Sequence, residues 1–157
     1  MMSGKDMISE FKTDISEFWT VSHSQLYPEL QRMVDEKQIK VAEDVEVKDR
    51  KVINYVIEAK GQETLKRWLA EPITLKNDEL TSLKLYCISD QRAPILQQIL
   101  RQCLALHQQK VVHLKTRKEL LFGDEPAIKA NYGHYLILSR AIERESDYVN
   151  WLQSKIN

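Results

Sequence analysis

The chain has 157 residues, of which 43% are hydrophobic and 29% are charged, as in ordinary globular domains. Its 23 basic and 23 acidic residues cancel, so the net charge gives no sign of a nucleic-acid partner. No apolar run approaches the ~20 residues that cross a bilayer, and no apolar signal segment starts the chain, so we expect a cytoplasmic protein. With only two cysteines, Cys87 and Cys103, a disulfide framework is not expected.

The first two predicted elements are helices. Apolar residues recur at helical spacing over residues 3–19, with a possible interruption at residues 14–16, where Asp and Ser compete for backbone hydrogen bonds. Ser22 followed three residues later by Gln25 is a capping-box pattern. It predicts a second helix that runs from residue 22 to about Lys37.

A change of period follows the second helix. Residues 39–57 alternate β-branched or aromatic residues with charged ones, which predicts a two-stranded hairpin with its tip near Lys48–Lys51. A third helix is predicted from about Ala59 to Leu69, ending before Pro72. A helix pair followed by a hairpin is typical of a winged helix-turn-helix.

The rest of the chain is predicted to be helical. A short helix capped by Asp78 precedes a long amphipathic helix over residues 94–122, and a last helix runs over about 127–155. We therefore predict a mainly α fold with a small β-hairpin wing. A winged-helix head, residues 1–72, precedes a helical dimerisation tail, residues 73–157.

Dimerisation is predicted because two long helices and one short one cannot enclose an apolar core alone. We expect the apolar stripes of the two long helices to meet those of a second copy. The predicted interface residues are Ile99, Leu100, Cys103, Leu104, Leu138, Ile142, Val149 and Leu152.

The predicted second helix and the hairpin tip are the candidate DNA-binding elements. Polar side chains near the helix start could bind bases and phosphates, and a basic tip suits the phosphate backbone. Bulk charge does not help, because residues 1–71 hold 11 basic and 14 acidic residues, a net of −3. The candidate residues are Ser22, His23, Ser24, Gln25, Tyr27, Gln31 and Arg32 in the helix, and Lys48, Arg50 and Lys51 in the wing.

An enzyme is not expected. None of the four histidines has a carboxylate or a Ser or Cys nucleophile at a motif spacing.

Cys103 and His107 lie one helical turn apart and could share a metal, but we expect a buried Cys beside an interface His, without a metal or other cofactor. Glu143 and Glu145 are interpreted as a solvated face or an ion-pair cluster.

Longer motifs show a family resemblance. Ser3-Gly4-Lys5-Asp6 is followed by Phe-Trp-Thr-Val-Ser-His-Ser-Gln-Leu-Tyr-Pro-Glu-Leu at residues 18–30, of which Ser-Gln-Leu-Tyr-Pro-Glu-Leu at residues 24–30 is the most specific part. The chain resembles, over nearly its whole length, the PadR family of winged-helix transcription regulators, with a tail like that of the virulence-activator branch. Further matching segments are 51–55, 59–61, 68–72, 78–80, 85–86, 135–138 and 151–152.

The resemblance implies a homodimer held by its helical tail on a pseudo-palindromic DNA operator. One recognition helix containing Tyr27 would enter each half-site, with the basic wing at the phosphates. A small-molecule effector is possible, since Trp19, Trp68 and Trp151 offer apolar surface, although core positions are the simpler interpretation. No particular effector, operator or direction of regulation is indicated.

Two departures from the family pattern open an alternative. Family members usually have another helix before the Ser-Gly, and an aromatic residue where this chain has Lys5. We hypothesise that the start was assigned too late or the gene is truncated, which a native mass would test. The alternative function is a dimeric helical scaffold that binds a protein partner and has lost DNA binding.

Overall fold

The computed structural model describes residues 1–16, 18–42, 45–47 and 50–156, without the side chains of residues 45–47, 50 and 51. These residues form two compact units, 1–68 and 69–157. The helices are α1 (Gly4–Asp14), α2 (His23–Asp35), α3 (Ala59–Ala70), α4 (Thr81–Tyr86), α5 (Pro94–Leu121), α6 (Glu125–Ala130) and α7 (Tyr132–Lys155). The strands are β1 (Met2–Ser3), β2 (Ile39–Val41), β3 (Val45–Val47), β4 (Arg50–Val52) and β5 (Asn54–Ile57). The predicted fold class, mainly α with a small β element, is confirmed.

Among the described residues, no helix is both long enough and apolar enough to span a membrane.

The sheet differs from the single hairpin that was predicted. β1 joins it as an additional strand, so that the antiparallel order is β1-β5-β2, while β3 and β4 form a separate pair. Within that pair, Val47 pairs with Arg50 and Glu46 with Lys51. Arg50 and Lys51, which were predicted near the hairpin tip, therefore belong to strand β4, while Lys48 and Asp49 lie outside the described residues.

The first unit has a small core because its helices are short. α1 begins at a complete capping box between Ser3 and Asp6 and ends at Asp14, where the interruption was predicted. Ile8 and Leu30, both 4% exposed, are the buried apolar residues of α1 and α2, and Ile39 of β2 is also buried. This packing fixes α2 against the sheet and leaves its other face in solvent.

The second unit is built on the packing of α5 against α7. The predicted last helix is in fact two, because Asn131 has a non-helical backbone and separates α6 from α7. Leu100, Cys103 and Leu152 form the centre of the unit's core. Buried polar groups accompany them: Lys84, fully buried, donates a 2.7 Å hydrogen bond to a backbone carbonyl oxygen.

The start of the second unit also corrects the sequence analysis. Asp78 was expected to cap the short helix, but Asn77 occupies the cap of a single 3-10 turn over Asp78–Leu80, from which α4 continues. The Asp78 carboxylate instead accepts hydrogen bonds from His107 and Lys110 of α5. Asp78 therefore pairs with side chains of α5 instead of capping the start of its own helix.

Candidate nucleic-acid interface

The start of α2 is held by the predicted capping box. Gln25 Oε1 accepts hydrogen bonds from the Ser22 backbone N–H at 3.1 Å and from the Ser22 hydroxyl at 2.9 Å. Bidentate pairing of a Gln amide with adenine needs both the oxygen and the nitrogen of the amide. Gln25 therefore stabilises the helix start, and the predicted base pairing requires this capping box to open.

The most accessible candidates lie on the first two turns of α2. Ser22, His23 and Ser24 are exposed, and Tyr27 is 44% exposed. The His23 and Tyr27 rings stack, with centroids 5.9 Å apart and planes 15° apart. Polar and aromatic groups of this kind, beside the free N–H groups of a helix start, form a surface suited to bases and phosphates.

Gly4 explains how Tyr27 is positioned. A Cβ atom at Gly4 would lie 2.9 Å from the Tyr27 ring, so only glycine lets the ring pack there. The Ser-Gly pair therefore has two separate roles: Ser3 caps α1, and Gly4 leaves space for the tyrosine of α2. In the sequence the Ser-Gly pair was recognised only as a family motif, so this contact was not predicted.

The second half of the predicted recognition surface is already paired. Gln31 Nε2 donates to Asp35 Oδ1 at 2.9 Å. The Arg32 guanidinium donates to Glu29 and Glu36, one on each side, and these two carboxylates raise its pKa further. Because two acids compensate its charge, Arg32 contributes little net attraction for phosphates while these pairs persist, and its assignment to DNA stays a prediction.

The wing residues are described only in part. Lys48 lies outside the described residues, whereas the backbones of Arg50 and Lys51 pair with Val47 and Glu46 in the β3–β4 ladder. The assignment of Arg50 and Lys51 to DNA stays a prediction.

Most of the predicted dimer residues lie in the core of the single chain. Ile99, Leu100, Cys103 and Leu152 are at most 4% exposed and Leu138 is 8% exposed, because α5 and α7 bury each other. These side chains have almost no surface left to lose to a partner. The other three, which remain partly accessible, are Leu104, Ile142 and Val149.

Apolar surface is nevertheless left on both long helices. Val112 of α5 is 64% exposed and Ile137 of α7 is 71% exposed. Val112 also lines a groove between α5 and α7, together with Val111 and Val149. Most of the apolar stripe that was predicted to meet a second copy is thus buried between α5 and α7 of the same chain, and the predicted interface stays a prediction.

A buried polar cluster occupies the other side of this helix pair. His107, 4% exposed, places Nδ1 2.5 Å from Glu145 Oε2 and Nε2 3.0 Å from Asp78 Oδ1. Lys110 Nζ donates to the second Asp78 oxygen at 2.6 Å. His107 therefore lies between two carboxylates, although no carboxylate stands at a motif spacing from it in the sequence. Its partners lie 29 and 38 residues away along the chain, so no local spacing could have indicated them.

Burial shifts the acidity of the groups around His107. Burial raises the pKa of Asp78, but the hydrogen bonds from Lys110 and His107 outweigh it and leave the pKa below its ordinary value. Burial also raises the pKa of the Cys103 thiol and of the Tyr148 hydroxyl, which lie 3.4 Å apart. The cluster therefore combines an ionised carboxylate with a thiol and a phenol that stay protonated at neutral pH.

Comparison with known proteins matches both parts of the chain. The Transcriptional regulator PadR-like family matches residues 1–67, and the Virulence activator alpha C-term family matches residues 77–157. The negative transcriptional regulator PadR of Bacillus subtilis is 34% identical over 163 residues, which cover 98% of this chain and 87% of that protein. A probable transcriptional regulator of Mycobacterium tuberculosis is 27% identical over 164 residues, covering 96% and 86% respectively.

A solved structure was also found to be similar. The crystal structure of Bacillus subtilis PadR in complex with operator DNA aligns with 98% of this chain and 87% of that chain, at 32% sequence identity and a TM-score of 0.44.

Proposed function

Because the chain belongs to the PadR-like family of transcriptional regulators, we propose that it binds duplex operator DNA as a homodimer. The head, residues 1–72, would place the start of α2 in the major groove and the β3–β4 hairpin against the phosphates. The tail, residues 73–157, would join two copies. This function needs binding without a catalytic step, and we place it in the cytoplasm with the DNA it regulates.

The exposed start of α2 carries the proposal. His23, Ser24 and Tyr27 present donors, acceptors and an aromatic face beside backbone N–H groups that attract phosphate. The paired state of Gln31 and Arg32 confines the reading surface to the first two turns of the helix. Net attraction to the DNA backbone then depends on the wing residues Lys48, Arg50 and Lys51, because the head as a whole carries more acidic than basic residues.

Selection of bound duplexes from a random pool, followed by a salt titration of the selected site, tests the proposal. We expect a pseudo-palindromic site whose half-sites lie about one helical turn apart, and binding that weakens steeply with salt. Absence of DNA binding at low salt would overturn the proposal and favour the protein-binding scaffold.

Two substitutions separate the roles of helix and wing. Tyr27→Ala should change base preference and cost about 1–3 kcal/mol at the affected position, whereas Arg50→Ala should weaken all sequences about equally and reduce the salt slope by about 1. Arg140→Ala is the matched control for the loss of one arginine, since Arg140 is a largely exposed residue of the tail. If Arg50→Ala behaves like Arg140→Ala, the wing assignment is wrong.

The dimer is proposed from the apolar surface that the long helices leave exposed. Apolar surface that stays exposed although the core of the chain is already buried is typical of a protein–protein interface. Val112→Glu should therefore produce monomers in sedimentation velocity while retaining helical content. Leu75→Glu is the control, because Leu75 is 70% exposed but lies outside the long helices. An unchanged dimer in both variants would remove this edge as the interface.

A further inference from the structure

Three side chains with metal-binding atoms meet beside the α5–α7 core. One ligand atom each from Asp78, Cys103 and His107 lies within 4.8 Å of the other two. Cys103 and His107, on successive turns of α5, are 0% and 4% exposed, and the 3-10 turn brings Asp78 to the same face. We propose that these three residues bind a divalent metal ion, of which zinc(II) best fits the sulfur, nitrogen and oxygen donors.

Glu145 is the positioning residue of the proposed site. Its Oε2 lies 2.5 Å from His107 Nδ1, and its side chain is only 13% exposed. A carboxylate that holds one imidazole N–H fixes the ring orientation and leaves the other nitrogen for the metal. That other nitrogen, Nε2, is the one that faces Asp78, so the ring is oriented correctly before an ion arrives.

The surroundings of Cys103 also suit a thiolate ligand. The Tyr148 hydroxyl lies 3.4 Å from Sγ and can donate to it. The Thr81 hydroxyl is buried and has no hydrogen-bond partner among the described residues. A hydroxyl that donates to the sulfur stabilises its negative form, which is the form that binds a metal.

The charges of the site balance when the ion binds. Without metal, each imidazole nitrogen of His107 faces a carboxylate oxygen, and a ring that donates to both oxygens carries an N–H on each nitrogen. The ion displaces the proton on Nε2 and the thiol proton, so a charge of +2 enters as two protons leave. Lys110 stays on the second oxygen of Asp78, and the net charge of the buried cluster is unchanged.

Cobalt(II) titration of the chelator-treated full chain tests the site. We expect one equivalent per chain, with the absorption bands of tetrahedral cobalt and a thiolate-to-cobalt charge-transfer band, all removed by excess zinc(II). Cys103→Ser should abolish the charge-transfer band. Cys87→Ser, which removes the exposed thiol of the same unit, should leave it intact.

A second variant keeps the test decisive if Cys103→Ser fails to fold by circular dichroism. Glu145→Gln retains all three ligands, so the charge-transfer band should persist while cobalt affinity falls about 10–100-fold. A merely structural role for Glu145 would leave the affinity unchanged. The proposal is overturned if no thiolate band forms, if the band is lost with Cys87, or if Glu145→Gln binds cobalt as tightly as the unaltered chain. None of these readouts depends on DNA binding.

Discussion

The two units of the chain place their polar side chains in opposite ways. On α2 in the first unit, Gln31 and Arg32 remain exposed and pair with residues three or four positions away on the same helix. In the second unit, His107 is buried and pairs with Asp78 and Glu145, which come from other elements. Exposed local pairs contribute little to stability, whereas a buried pair that loses one member leaves an uncompensated charge. Equal substitutions should therefore have unequal effects in the two units.

The largest expected effect is at His107. His107→Leu leaves the Asp78 and Glu145 carboxylates facing each other without the ring that joins them, and should lower the free energy of unfolding by roughly 3 kcal/mol. Urea unfolding of the metal-free chain measures it. His113→Leu, at an exposed position of the same helix, is the control and should change little. Similar values for the two variants would show that the cluster contributes no stability.

Two glycines give the next contrast. A Cβ at Gly61 would lie 2.1 Å from the Gln38 carbonyl oxygen, so Gly61→Ala must displace α3 from the sheet and should cost about 2 kcal/mol. Nothing lies within 4 Å of a Cβ at Gly133 in α7, so Gly133→Ala should stabilise by about 0.5–1 kcal/mol. Thermal unfolding of both variants measures the difference. Shifts of the same sign would contradict the close packing inferred at Gly61.

A smaller effect is expected at the start of α1. Ser3→Ala removes the side chain that caps the helix and should cost about 1 kcal/mol. The hydrogen bonds from Ser3 hold the pKa of Asp6 below its ordinary 3.8, so this stabilisation is present above pH 3.8 and is lost as the pH falls through the lowered value. An NMR titration should show the Asp6 pKa returning toward 3.8 in Ser3→Ala. An unmoved pKa would mean that Ser3 does not hold the carboxylate.

The smallest effect is expected at Arg32. Its partners Glu29 and Glu36 are, like Arg32 itself, at least 40% exposed, so solvent screens the ion pairs. Arg32→Ala should leave the unfolding midpoint almost unchanged. It should also leave the salt slope of DNA binding unchanged, because the charge is already compensated. A salt slope reduced as much as in Arg50→Ala would show that Arg32 leaves its partners to bind phosphate.

What could be predicted from the sequence depends on the separation of the interacting residues. The α2 start, the length of α5 and the end of α1 follow from residues at most four positions apart, and all three were predicted. The break at Asn131 was missed because apolar periodicity continues across it. The pairing of β1 was missed because its partner, β5, lies some fifty residues further along the chain, beyond the reach of any local sequence pattern.

The candidate sites follow the same rule. The α2 start and its capping box were predicted from the sequence, but the pairing of Gln31 with Asp35 and of Arg32 with Glu29 and Glu36 was not.

The sequence by itself determined the family, the helix and strand content, and which helix presents a polar start. Only the tertiary structure decided that the apolar stripe of α5 closes the subunit's own core and that His107 meets Asp78 and Glu145. The physical reason is that helix propensity, capping and periodicity act within one or two turns, while burial and long-range hydrogen bonds depend on how separate elements pack.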